Sequence, residues 1–239
     1  VGDTVPGRMP GPPGARARRV WECGAGVLGA RGPPADGAVR RPVTYPTRQG
    51  QAGMNHGEDA IAELTADHRE VDELFESLQG VPTGRPERRQ VLDRITMELV
   101  RHAVAEEQYL YPEVRRRVPG GAALADKEIA DHAEVERLLK DLEDRRPDDP
   151  DFDGLVIRLI SEVTAHIHDE ERHLFARLRE VCSAERLQEL GGKIRRAKRT
   201  APTRPHPGAP DTPPANRLLD PGAGLVDRAR DALSGRGRL

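Results

Sequence analysis

Apolar residues recur at intervals of three and four in four stretches of the chain, Glu58–Leu78, Glu87–Val118, Ala122–Asp144 and Phe152–Cys182, and each reads as an amphipathic helix. In the first stretch the seam runs Ile61, Leu64, His68, Val71, Phe75, Leu78; in the second Leu92, Ile95, Leu99, His102, Glu106, Tyr109; in the fourth Val156, Leu159, Val163, His166, Glu170, His173. The third keeps its stripe at Ile129, His132, Val135, Leu139 and Leu142, although Glu128 also falls on it. Pro82 with Gly84, Pro119 with Gly120 and Gly121, and Pro147 with Pro150 punctuate the gaps. Connections this short join antiparallel neighbours, so the expected fold is all-α, an antiparallel up-down-up-down four-helix bundle. Pro112, inside the second stretch, lacks an N–H and is expected to kink that helix or end its regular part.

The flanks lack this period. Residues 1–53 are dense in Gly, Pro and Arg, a composition that cannot bury enough surface to offset folding entropy, and disorder is expected there. Met54, just before the first helical pattern, marks a candidate alternative start. The bundle is assigned to residues 54–190 and a basic, Pro-rich tail to 191–239. Within that tail Lys193–Arg199 holds five basic residues in seven, and Leu225, Val226, Ala229 and Leu233 suggest a short terminal helix.

Charge divides along the same lines. The two flanks carry net charges of +5 and +7 around a middle of −14. An acidic middle excludes a nucleic-acid-binding role for the bundle, which would need Lys and Arg for phosphate contacts, and suits a module that gathers cations. The tails remain candidates for contacts with anions or with a protein partner of unknown kind. Two cysteines, Cys23 and Cys182, make no disulfide framework, and no apolar run approaches a membrane span, so a cytoplasmic protein is expected.

A repeat sharpens the picture. Adding 64 to a position in the first two helices finds its partner in the last two. Asp67-His68-Arg69-Glu70-Val71 answers to Asp131-His132-Ala133-Glu134-Val135, and His102-Ala103-Val104-Ala105-Glu106-Glu107 to His166-Ile167-His168-Asp169-Glu170-Glu171. Two copies of one helical hairpin give a bundle with approximate two-fold symmetry. Four histidines and two glutamates then fall on its inner seams.

Burying four imidazoles and two carboxylates in one layer costs several kcal/mol per uncompensated charge, and bound cations would offset that cost. His102 with Glu106, and His166 with Glu170, stand at i and i+4, with Cβ atoms roughly 5–6 Å apart on one helix face. Mixed imidazole and carboxylate donors suit iron, manganese or zinc better than calcium or copper(I). Tyr109 and His173 occupy matching places seven residues beyond His102 and His166, and an unbroken helix would point both at the same layer. Tyr109 is then a phenolate ligand, a proton donor or a core tyrosine, and His173 a further ligand, a supporting partner or a rim histidine.

Taken together, His68, His102-x3-Glu106, His132 and His166-x3-Glu170 resemble the hemerythrin-like (HHE cation-binding) family over about residues 56–182. The resemblance implies a non-haem centre of two iron ions, with His68, His102, His132 and His166 as imidazole ligands and Glu106 and Glu170 as bridging carboxylates. The chain departs from the oxygen-carrying hemerythrins in having Glu136 four residues after His132, where they have a histidine, and Glu171 where they use an aspartate. Fewer imidazoles and more oxygen donors direct attention away from reversible oxygen carriage. The expected function is binding or reaction with a small oxidant such as dioxygen, peroxide or nitric oxide. A catalase-like cycle would have Tyr109 and His173 moving protons. The alternatives are an iron- or redox-sensing or iron-handling module, and a plain interaction scaffold whose stability ignores chelation.

Overall fold

The computed structural model describes residues 59–209, 211, 215–234 and 236. The expected disorder over residues 1–53 lies outside that range. The described residues are helical and contain no strand. Helix α1 (Ala60–Gly80) opens on Asp59, whose carboxylate accepts the Ala62 N–H at 2.9 Å. Helix α2 (Glu87–Ala105) passes through a π-helical turn (Glu106–Leu110) into α3 (Tyr111–Arg117). A tight turn at Pro119-Gly120, with Gly120 at φ +72°, leads into α4 (Gly121–Glu143). Helix α5 (Phe152–Asp169) passes through a second π turn (Glu170–Leu174) into α6 (Phe175–Val181). Together these make the antiparallel four-helix bundle, with each long helix beginning and ending within two residues of its expected bounds.

Pro112 neither ends nor visibly breaks the second helix. It is the second residue of α3, directly after the π turn, and the helix continues past it to Arg117. The π turn before it is not caused by proline, because its counterpart at Glu170–Leu174 precedes Ala176. In each turn one hydrogen bond spans five residues, from the Tyr111 N–H to the Glu106 carbonyl and from the Phe175 N–H to the Glu170 carbonyl.

The core forms two apolar clusters. One is built on Phe75, Leu92, Ile95, Leu139, Phe152 and Leu159, the other on Leu64, Leu110, Val114, Phe175, Leu178 and Leu190. Between them lies a polar layer containing His68, His102, His132, His166, Glu106 and Glu170, every one of them buried.

Beyond the bundle, the basic run expected in a solvated tail is the last part of α7 (Ala184–Thr200), which packs against α1 and α2. Leu187, Leu190, Ile194 and Ala197 supply its buried stripe. The glycines after Leu190 do not stop the helix. A Cβ at Gly191 would lie 2.9 Å from the Asp59 carbonyl carbon, so glycine permits the close crossing over the start of α1. The domain boundary expected at residue 190 therefore falls inside a packed helix. Helix α8 (Ala215–Ser234) is tied back through the strap before it. There Thr203 Oγ1 donates to Asp231 at 2.6 Å, and Arg204 reaches Glu143 at 2.8 Å.

Buried Glu113 anchors α7 by accepting two 2.8 Å bonds from Arg186, with Arg116 and Arg117 also at its oxygens. Its bonds to Arg186, reinforced by Arg117 and Arg116, hold the carboxyl down to about 2. Glu113→Ala should therefore cost about 2 kcal/mol at neutral pH by leaving Arg186 short of partners. A carboxylate held low contributes stability above its ordinary value near 4.5 and loses it as pH falls toward 2, so the gap between variant and wild type should close over that window in denaturant titrations.

Candidate metal centre

The four histidines present Nε2 to one another in pairs. His68 and His102 Nε2 are 3.3 Å apart, as are those of His132 and His166. Glu106 lies between the pairs, with Oε2 3.0 Å from His102 Nε2 and 3.4 Å from His132 Nε2. Glu170 Oε2 is 3.5 Å from His68 Nε2 and 3.9 Å from His166 Nε2. Two donor groups result, His68, His102, Glu106 and Glu170 in one, and Glu106, His132 and His166 in the other, each tight enough to hold a cation. Glu106 belongs to both.

Carboxylates stand behind the rings. His68 Nδ1 is 2.9 Å from Glu171 and His132 Nδ1 is 2.9 Å from Glu107, each acid following one of the central glutamates in sequence. His102 Nδ1 is 3.2 Å from Asp67, and His166 Nδ1 is 2.9 Å from Glu128. At His68, His102 and His132 an acceptor at Nδ1 keeps the proton there and leaves Nε2 free to donate electrons inward, as the outer partners of metal-bound histidines do, whereas Glu128 is close to His166 Nδ1 without hydrogen-bond alignment. The sequence singled out Glu128, on the third stripe, and Glu171, in the place of an aspartate, but not the position of these acids behind the rings, although Asp67-His68 and Asp131-His132 recur at the repeat offset, and so do Glu106-Glu107 and Glu170-Glu171.

Without a cation these groups lean on one another. Burial alone would lower the His102 imidazole, but Glu106 and Asp67 override it and raise it to about 10. His132 is likewise raised against burial by Glu106 and Glu107, and His166 by Asp131 and Glu128. Burial would raise Glu106, but His102 and His132 hold it well below the ordinary range; burial and the Glu106 charge push Glu170 up. Glu106 Oε1 and Glu170 Oε2 are buried with no hydrogen-bond partner. Two orphaned carboxylate oxygens beside four inward imidazoles fit a pair of bound cations.

Tyr109 and His173 sit elsewhere. His173 is 54% exposed, with Nε2 3.5 Å from Asp169, and Tyr109 lines a groove between α3 and α7 with Leu190 and Lys193. The π turns account for both. Each takes up one extra residue, so the inward positions seven and eight beyond His102 become eight and nine. Those are Leu110 and Tyr111, and after His166 they are Leu174 and Phe175, all buried. The Tyr111 hydroxyl lies 3.2 Å from Glu106 Oε2, 3.4 Å from Glu170 Oε1 and 3.2 Å from His132 Nε2. Phe175 holds the matching place without a hydroxyl, stacked on His68 with ring centres 5.8 Å apart.

A cavity of about 70 Å³ adjoins the layer, lined by the four histidines and by Val71, Leu99, Val135, Leu139, Val163 and Ile167 among others. It has room for a few atoms and few polar groups beyond the layer itself. Nearby, Val100, Val104, Glu107 and Glu136 also line a second cavity under the strap, where Glu136 accepts the His206 N–H at 2.7 Å.

The profile of the hemerythrin HHE cation binding domain matches residues 59–178, just over half of the chain. The chain belongs to the hemerythrin HHE cation-binding family. An uncharacterized hemerythrin-like protein of Schizosaccharomyces pombe is 26% identical over 190 residues, spanning 79% of this chain and 92% of its own length. A DNA nickase of Nostoc sp. is 33% identical over 137 residues, 56% of this chain but only 38% of that protein. Among solved structures, an HHE cation binding domain-containing protein of Mycobacterium kansasii superposes with a TM-score of 0.53 at 23% identity, covering 59% of this chain and 85% of that one; it bears on the HHE fold alone. No described helix is long and apolar enough to cross a membrane.

Proposed function

We propose that this HHE protein is a non-haem di-iron protein that binds or reacts with a small oxidant, whether dioxygen, peroxide or nitric oxide, with peroxide removal as the leading candidate. The observation that carries this reading is the position of Glu106, one buried carboxylate within 3.4 Å of an imidazole from each donor group. His68, His102 and Glu170 would complete one metal position, and His132 and His166 the other. Iron would supply the electron transfer. The protein supplies fixed rings, a small apolar chamber and a proton store.

That store is Tyr111 in place of Tyr109. Burial and the charges of Glu106 and Glu170 keep its phenol protonated far above the usual tyrosine range in the metal-free protein. Its proton faces the layer, within reach of Glu106 or Glu170. His173, exposed on the far side of its helix, is a rim histidine. The test combines metal analysis with peroxide turnover. About two irons per chain and peroxide-dependent oxygen release support the reading, and less than half a metal ion per chain after reconstitution sinks it. Tyr111→Phe should keep the metal and lose at least tenfold in turnover, whereas Tyr109→Phe should change turnover by less than twofold.

One contact favours a second reading, a metal or redox sensor. Asp67, which holds His102, is also bonded by Lys198 of α7, and Lys198 reaches Glu63 at 3.2 Å. Metal occupancy would then be felt by a basic outer helix. Negligible peroxide turnover, with a large change in hydrogen exchange over α7 on metal binding, would move this reading to first place. The nickase relative adds no nucleic-acid role to the bundle, whose acidic charge opposes phosphate binding.

A further inference from the structure

The two halves of the repeat agree at the inward donors and differ just behind them. Behind His102, Asp67 lies 3.2 Å from Nδ1, and its other oxygen is bonded by Lys198. Behind His166 the counterpart Asp131 is drawn aside to Lys127 at 2.8 Å and lies 3.9 Å from Nδ1. Glu128 stands nearest instead, with Oε2 2.9 Å from His166 Nδ1.

Sixty-four residues earlier the chain has Leu64, a fully buried core residue, so the fold builds the same corner without a carboxylate. Glu128 is 2% exposed and its Oε2 has no well-aligned hydrogen-bond partner. Lys127 lies 3.5 Å from the other oxygen but also serves Asp131 and, at 2.6 Å, Asp169. A buried carboxylate this poorly compensated is costly unless positive charge arrives nearby. The near side of the His166 ring faces Glu128, and the far side faces the donor group of Glu106 and His132. That group has three donors, where the other has four.

Resting on the two-metal reading above, we propose that Glu128 is a positioning residue that selectively strengthens the metal position formed by Glu106, His132 and His166. Its charge, 2.9 Å from Nδ1, favours a proton on that side of the His166 ring and makes Nε2 a better donor, so the weaker-equipped half of the centre is brought up to strength. The half formed by His68 and His102 does not touch it.

The test is anaerobic titration of the full-length metal-free protein with iron(II), alongside Glu128→Gln, which keeps the shape and removes the charge, and Glu128→Leu, which restores the residue of the other half. In both variants one of the two binding steps should weaken about tenfold or more, while the other stays within twofold. In a His132→Ala background, where only the four-donor position remains complete, Glu128→Gln should leave iron affinity unchanged. The metal-free Glu128→Leu protein should melt within about 4 °C of wild type, because the lost charge contact with His166 and the removed cost of a buried carboxylate offset each other. Loss of a purely structural residue would lower the melting temperature further. Equal weakening of both steps, no weakening of either, or a loss of metal-free stability with both steps intact would overturn the proposal. Uptake of fewer than one ion by wild type would instead overturn the two-metal reading, and this proposal with it.

Discussion

Loading the metal-free protein with iron(II) is expected to raise its melting temperature by about 10 °C, and chelation to reverse the gain. An ion at a thousand times its dissociation constant stabilises a fold by about 4 kcal/mol, and a domain of this size gains roughly 2–4 °C per kcal/mol. The effect should also depend on pH, with a sign set by the histidines. His102 is raised to about 10 by Glu106 and Asp67 against burial, so its ring holds a proton at pH 7 in the metal-free protein, and His132 and His166 are raised too. An imidazole raised in this way stabilises the metal-free fold below its unfolded value near 6.5 and loses that contribution as pH rises through the folded value. A metal ion must displace the proton of such an imidazole. Metal-induced stabilisation should therefore grow from pH 6 to pH 8.5, with proton release visible by calorimetry in two buffers of different ionisation enthalpy. A melting temperature indifferent to metal across that range would return the bundle to the scaffold reading.

The same histidines show what could be read from the sequence and what could not. The bundle was legible because each helix carries its own apolar stripe, and the repeat offset singled out the six inward residues before any packing was known. Tyr109 and His173 were misplaced because periodicity assumes one constant pitch. The π turn in each inner helix takes up one extra residue and rotates everything beyond it, and the residue types of Glu106–Leu110 and Glu170–Leu174 do not mark that change. Tyr111 consequently faces the polar layer, a placement that only the helix geometry reveals. Helix α7 was missed for a different reason. Its buried Leu187, Leu190, Ile194 and Ala197 are separated by Arg, Lys and a glycine pair, so composition spoke louder than spacing. Glu128 was visible as a flaw in the third stripe, but its meaning needed His166 beside it.

Replacing Glu106 with glutamine should be the most damaging single change in the centre. Its Oε2 lies nearer to both the His102 and His132 sides than Glu170 Oε2 does to His68 and His166, and its Oε1 is buried without a partner. The amide is nearly isosteric and removes a buried charge, so the bundle should still fold in the metal-free state. Metal binding should nevertheless fall by more than a hundredfold, beyond the 10–100-fold typical of losing a supporting residue, and stoichiometry should drop from two ions to one or none. Glu170→Gln should be milder, because its Oε2 stands farther from the imidazoles, at 3.5 and 3.9 Å. The change should also be visible without metal. Glu106 is the largest influence raising His102 and His132, so both rings should titrate at lower pH in Glu106→Gln when followed by NMR. Two ions bound at wild-type affinity in Glu106→Gln would mean that the positions are independent, and that the carboxylate at the centre of the layer does not join them.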